Sequence, residues 1–172
     1  QAFTHTSFSN ENPSFVSYER LEFLGDSVLS LVTSVYLFKG NRDLFEGDLT
    51  KIRAGVVCEN ALFEYAGKIN LGSYLLLGKG EENTGGRTRK SILADAFEAV
   101  IAAIYLDGGF ESAREFVLPY IKEASAKLMK SGKTEDYKTL LQKFVQQAKG
   151  DILEYEVISE SGPSHSKTFE MQ

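Results

Sequence analysis

Residues 19–26 read Glu19-Arg20-Leu21-Glu22-Phe23-Leu24-Gly25-Asp26. On a helix, Glu19, Glu22 and Asp26 fall within one narrow arc of the surface. Leu21, Leu24, Val28, Leu31, Val32 and Val35 repeat at helical spacing on the other side. The spacing predicts a helix over Tyr18 to Phe38, stopped at Gly40-Asn41. Three like charges on one face repel, so the plain reading is a solvated acidic surface. Phe23 weakens that reading: a large aromatic beside carboxylates marks a face that meets something, such as a second subunit.

A second acidic pair lies in Ser91-Ile-Leu-Ala-Asp-Ala-Phe-Glu-Ala99. Apart from Asp95 and Glu98, everything from Ile92 to Ile104 is apolar. A helix apolar on all sides is buried, and its alanines let neighbouring backbones approach closely. A desolvated carboxylate without a partner costs several kcal/mol, so such groups are paired or hold a cation. Salt bridges to Arg20 or Lys51 are one solution. The other is an oxygen-rich pocket formed where the two helices converge, which suits a hard divalent cation such as Mg²⁺. His5 and His165 lie toward the two ends of the chain, which argues against zinc and against His-based acid–base chemistry. Cys58 lies in an apolar helical stretch and is expected in the core.

The chain has 172 residues, 24 acids against 19 bases, a net charge of −5 and 42% hydrophobic residues, which suits a folded protein and excludes disordered and collagen-like classes. A single cysteine cannot close an intrachain disulfide, so a reducing compartment, the cytoplasm, is expected. No uninterrupted apolar run approaches a membrane span; the best candidate, Ser27 to Phe38, is broken by Ser and Thr. Acids outnumber bases both before and after residue 135, so charge alone votes against a passive nucleic-acid binder.

The remaining pattern is mostly helical. Glu46 to Ile69 is periodic, with Leu49, Ile52, Val56, Leu62 and Phe63 inward. Leu71 to Leu77 is a short apolar turn or strand-like segment, and Gly78 to Lys90 reads as a mobile loop. Ser91 caps a helix running to Leu106, with Gly108-Gly109 as the stop. Glu111 to Met129 is helical again, and Pro119 is expected to kink or split it. After a charged linker come a helix over Tyr137 to Ala148, a strand over Ile152 to Ser159, a turn at Ser161-Gly162-Pro163-Ser164 and a strand over Lys167 to Gln172.

The Glu19–Asp26 motif resembles the signature of the ribonuclease III family. Thr4-His5-Thr6-Ser7-Phe8, Glu46-Gly47-Asp48-Leu49-Thr50, the Asp95/Glu98 helix and Tyr105-Leu-Asp-Gly108 resemble its other segments in the same order. Tyr137-Lys-Thr-Leu-Leu-Gln142 and Gly162-Pro-Ser-His165 resemble the first helix and first loop of a double-stranded-RNA-binding domain. The resemblance implies an all-α endonuclease domain (ribonuclease III fold) over residues 1–130, lacking its first helix. A linker would follow at 131–136, and a partial α/β double-stranded-RNA-binding domain at 137–172, without its third strand and last helix. By the same resemblance Glu22, Asp26, Asp95 and Glu98 are metal-binding acids, Asp26 and Glu98 catalytic among them, with Glu19 at the site margin. Phe23 is similar to the aromatic that plugs a socket in the partner of a homodimer. Thr139, Gln142, Pro163 and His165 correspond to RNA contacts. Lys143 stands where the family often has Glu, which alters the minor-groove contact and adds phosphate attraction.

The implied reaction is hydrolysis of double-stranded RNA with Mg²⁺, or Mn²⁺ in its place. The ends are 5′-phosphate and 3′-hydroxyl, and the role is processing of ribosomal, messenger and other RNA precursors. Arg87, Arg89 and Lys90 are either phosphate contacts or solvated loop charge. Two rivals are a binding-only protein on the same fold and an all-α nucleotide pyrophosphohydrolase. The first gives no reason to keep repelling acids on apolar helices, and the second none for the segment from Tyr137 onward.

Overall fold

The computed structural model describes residues 1–131, 156–162 and 168–171. The chain divides into two compact units, Gln1–Ser131 and Gly132–Gln172.

The first unit is helical: α1 (Thr6–Glu11), α2 (Glu19–Gly40), α3 (Glu46–Val56), α4 (Glu59–Lys68), α5 (Lys79–Asn83) and α6 (Lys90–Ser131), with short 3₁₀ turns at Leu71–Tyr74 and Gly86–Thr88. The most extensive packing is α2 on α6. Helix α2 is long and apolar enough, by length and composition alone, to cross a membrane. In the fold its Val28, Leu29, Val32 and Leu37 are buried, while Phe23, Leu31 and Phe38 stay exposed.

Helix α6 breaks at Gly109, whose φ of 76° and ψ of −174° leave helical space. A side chain is strained at that φ, so the glycine predicted as a stop ends residues 90–108 and lets 110–131 begin. Pro119, by contrast, neither splits the helix nor takes it out of helical φ/ψ. The fully buried Val117 and Ile121 flank it, and their packing holds the turn that the missing N–H weakens. Tyr65, Phe97, Phe116 and Tyr120 form an aromatic cluster with centroids 5.2–5.8 Å apart. Phe97, with no exposed surface, anchors the α6 segment that carries Asp95 and Glu98.

Other expectations need correction. The periodic stretch 46–69 is two helices, because Cys58 is extended (φ −75°, ψ 160°) and caps α4. Cys58 is exposed rather than core: at the turn between the two helices its thiol donates back to the Gly55 carbonyl of α3 at 3.3 Å. Leu31, expected inward, is 52% exposed. The Leu71–Leu77 segment is both things considered for it: a 3₁₀ turn, then a parallel bridge between Leu76 and Thr4.

Residues 78–90, read as a mobile loop, form α5 and a 3₁₀ turn tied by charge. Arg87 pairs with Glu82 and donates to the carbonyls of Gly72 (2.7 Å) and Leu75 (2.9 Å). Arg89 pairs with Glu81, and Lys90 donates to Asn60 Oδ1 at 3.0 Å. These cations hold the chain to itself, which favours a structural role over phosphate contact. Arg87→Met should lower stability in urea by about 2 kcal/mol, since two buried-side carbonyls lose a charged donor. The salt dependence of duplex binding should stay unchanged.

In the second unit β1 (Val157–Ser161) pairs antiparallel with β2 (Thr168–Met171), Ser161 opposite Thr168, with an irregularity between Val157 and Ser159. The helix expected over 137–148, and Thr139, Gln142, Lys143, Pro163 and His165, lie outside the described residues.

Candidate active site

The crossing of α2 and α6 is set by one residue. A Cβ built on Gly25 would lie 1.9 Å from the carbonyl oxygen of Glu98 and 2.5 Å from its carbonyl carbon. Only a hydrogen fits, so the two backbones touch here. Glu22 and Asp26, flanking Gly25 on α2, are thereby brought to the part of α6 that bears Asp95 and Glu98. Tyr18, 2% exposed, reinforces the contact: its hydroxyl donates to the carbonyl of Ile92 at 3.5 Å, one turn before Asp95.

The electrostatics record the convergence. Glu98 is pushed up to about 8, first by burial and then by the charges of Asp26, Asp95 and Glu22. Glu22 is raised by burial, then by Asp95 and Glu19. Asp95 is raised by burial and then by Glu59, while His5 pulls the other way. Four carboxylates from two helices thus repel one another across a part-desolvated gap. Among the described residues none of the four is in an ion pair, and Arg20 and Lys51 do not fill the gap. Glu19 is exposed at the margin and accepts from Ser17 Oγ at 3.0 Å.

Two residues here escaped sequence reasoning. Glu59 starts α4, in a stretch where the glycines at 55 and 67, rather than Cys58, marked the weak points of the periodic run. His5, set aside for its place near the chain start, is carried to the site by the Thr4–Leu76 bridge and lies 5.8 Å ring to ring from Tyr18.

Unpaired hard oxygen donors crowded into one part-desolvated gap suit a divalent cation. Among the described residues no three His, Cys, Asp or Glu side chains are gathered closely enough to chelate an ion as they stand. The donor set still fits Mg²⁺, which keeps several waters and needs only one or two direct carboxylates. Without a cation, Glu98 lowers stability as it ionises. The folded protein holds that proton up to about pH 8 whereas an ordinary Glu releases it near 4.5, so stability falls as pH rises between the two values. In EDTA, Glu98→Gln should therefore melt above the parent protein at pH 8 and close to it at pH 5. The gap should be about 1–2 kcal/mol, because a part-exposed group is screened by solvent.

Residues 1–124 match the family described as Ribonuclease-III-like. The chain belongs to the ribonuclease III family. Residues 137–172 match the double-stranded RNA binding motif. The chain is 53% identical over 173 residues to Ribonuclease 3 of Caldanaerobacter subterraneus subsp. tengcongensis, covering 100% of this chain and 76% of the relative. Against Ribonuclease 3 of Syntrophomonas wolfei subsp. wolfei identity is 52%, over 98% of this chain and 72% of the relative. Among solved structures it is similar to the nuclease domain of ribonuclease III from Campylobacter jejuni (TM-score 0.66, 46% identity, 72% of this chain and 83% of that one). That structure is described as showing flexibility in a region involved in dimer formation. Dicer from Pichia stipitis (TM-score 0.53, 24% identity, 98% and 80% covered) shares the fold. Ribonuclease III membership makes the chain a double-stranded-RNA endoribonuclease, a family generally dependent on metal.

Proposed function

We propose that this ribonuclease III chain cuts double-stranded RNA with Mg²⁺ held by Glu22, Asp26, Asp95 and Glu98, leaving 5′-phosphate and 3′-hydroxyl ends, Mn²⁺ serving in its place. The supporting observation is the Gly25–Glu98 contact, which gathers four unpaired acids from α2 and α6. When bound, the cation supplies the positive charge that draws in the scissile phosphate and activates water. Glu98, freed of its own proton once the cation is bound, takes the proton as water attacks phosphorus, with Asp26 beside it. The bond to the 3′-oxygen breaks, the leaving oxygen takes a proton from solvent to become the 3′-hydroxyl, and Glu19 stays at the margin.

Phe23 (79% exposed), Leu31 and Phe38 (74%) lie along one side of α2. An uncovered stripe of that size suits a second copy of the chain. Phe23→Ala should shift sedimentation from dimer toward monomer and reduce double cuts. Thr139, Gln142, Lys143, Pro163 and His165 contact the duplex, read by its A-form shape rather than its base sequence. The setting is processing of ribosomal, messenger and other RNA precursors in the cytoplasm.

The test is incubation with a long RNA duplex, single-stranded RNA and a nucleoside triphosphate, each with Mg²⁺ or with EDTA. The expected result is cleavage of the duplex alone, and only with metal. Diphosphate release, or duplex retained without cutting in Mg²⁺, would refute the reading.

A further inference from the structure

Two ties between α2 and α6 bracket Glu22 and Asp95. One is the backbone contact of Gly25 with Glu98. The other is Tyr18, whose hydroxyl donates to the carbonyl of Ile92 at 3.5 Å. Tyr18 is itself locked to the start of α2: its carbonyl accepts from the N–H groups of Leu21 (2.7 Å) and Glu22 (2.9 Å). Its own N–H donates to the Thr4 carbonyl at 2.9 Å. Glu22 comes four residues after Tyr18 and three before Gly25, while Asp95 comes three after Ile92 and three before Glu98. At a rise of about 1.5 Å per residue the ties are about 10 Å apart along α2 and about 9 Å along α6. The helices therefore run alongside each other, with Glu22 and Asp95 between the ties. At Gly25 the backbones touch; at Tyr18 the gap is spanned by the length of a phenol. Tyr18 is 2% exposed, and its proton is held by burial and then by the charges of Asp95, Glu22, Glu19 and Glu81, so the hydroxyl stays a donor.

We propose that Tyr18 is a positioning residue for the metal site: the tie from its hydroxyl to the Ile92 carbonyl sets how far α2 and α6 spread beyond Gly25, and so the separation of the Glu22 and Asp95 carboxylates. This rests on the metal reading of the four acids. The carbonyl of Ile92 also accepts the helical N–H four residues on, so removing the phenol's proton leaves no buried acceptor unpaired. What the removal frees is the spread of the two helices. Tyr65 supplies the comparison. It is 3% exposed and its hydroxyl donates to the Val56 carbonyl at 2.9 Å, tying α4 to the last residue of α3 rather than α2 to α6. A carbonyl at a helix end lacks a helical partner, so this second hydroxyl matters more to stability. If both hydroxyls only held the fold together, the two tyrosines would differ in melting temperature and in nothing else.

In the full chain, Mn²⁺ titrations would be followed by the rise in melting temperature, with kcat and KM for duplex cleavage measured across the same Mn²⁺ range. Tyr18→Phe keeps the ring and removes the tie. It should melt within about 3 °C of the parent protein in EDTA. Its Mn²⁺ midpoint should rise about tenfold, as for loss of a group that orients metal ligands. Its kcat should recover toward the parental value at saturating Mn²⁺, with KM for duplex little changed. Tyr65→Phe should melt lower than Tyr18→Phe in EDTA yet keep the parental midpoint. A parental midpoint in Tyr18→Phe, or an equal rise in both variants, would overturn the role of Tyr18 and leave the four acids as ligands. If Mn²⁺ fails to raise the melting temperature of the parent protein, the four-acid site itself falls.

Discussion

Glu98→Gln is expected to reduce duplex cleavage by about 10³-fold or more while leaving duplex affinity within about twofold of the parent protein. The substitution keeps the volume of the side chain and removes one negative charge from the point where α2 meets α6. On the proposed reading a cation there loses a ligand, and the attacking water loses its proton acceptor. Binding is separate, because the residues matching the RNA-binding motif lie at 137–172. Cleavage is checked by single-turnover assay in saturating Mg²⁺ and binding by gel shift in Ca²⁺ or EDTA. If cutting and binding fall together, Glu98 is structural and the site lies elsewhere.

Gly25→Ala is expected to be the most damaging added methyl among the described glycines. Its Cβ would sit 1.9 Å from a backbone oxygen of α6, and backbone cannot rotate aside as a flexible side chain can. Overpacking of this kind costs about 3 kcal/mol or more, since the two longest helices must separate along their shared face. Urea unfolding gives the loss directly. Activity should drop further than stability explains, because a shift at this crossing moves Glu22 and Asp26 away from Asp95 and Glu98. Gly47→Ala is the control: an added Cβ there meets nothing within 4 Å, and both readouts should stay near the parent values.

How far these outcomes were legible in advance differs by element. Helix α2 and the acidic part of α6 could be read because periodicity of apolar residues is a local property, and both segments carry it for many turns. For Asp95 and Glu98 the reading as cation ligands was preferred over salt bridges, but the absence of an ion-pair partner could not be read in advance, since it depends on which side chains arrive from elsewhere. Periodicity also misled at Cys58 and Leu31. Apolar spacing runs unbroken through Cys58, and the break comes from one extended residue that has no compositional marker. Leu31 fits the helical repeat yet faces outward. The run 78–90 looked loose because it is rich in glycine and charge, whereas its order comes from Arg87 and Arg89 reaching Glu82 and Glu81 and, in the case of Arg87, two carbonyls. His5 was missed for the same reason: a parallel bridge between residues 4 and 76 carries it to its place, and no short window of sequence displays such a pairing.

Cys58 offers a practical consequence. It is the sole cysteine of the chain and stands at an exposed turn between α3 and α4. A maleimide fluorophore or nitroxide can be coupled to the parent sequence without deleting any other thiol or opening the core. Each copy then bears one reporter at a known point, so energy transfer between labelled copies would test the proposed dimer and, if it forms, measure its spacing while RNA is bound and cut.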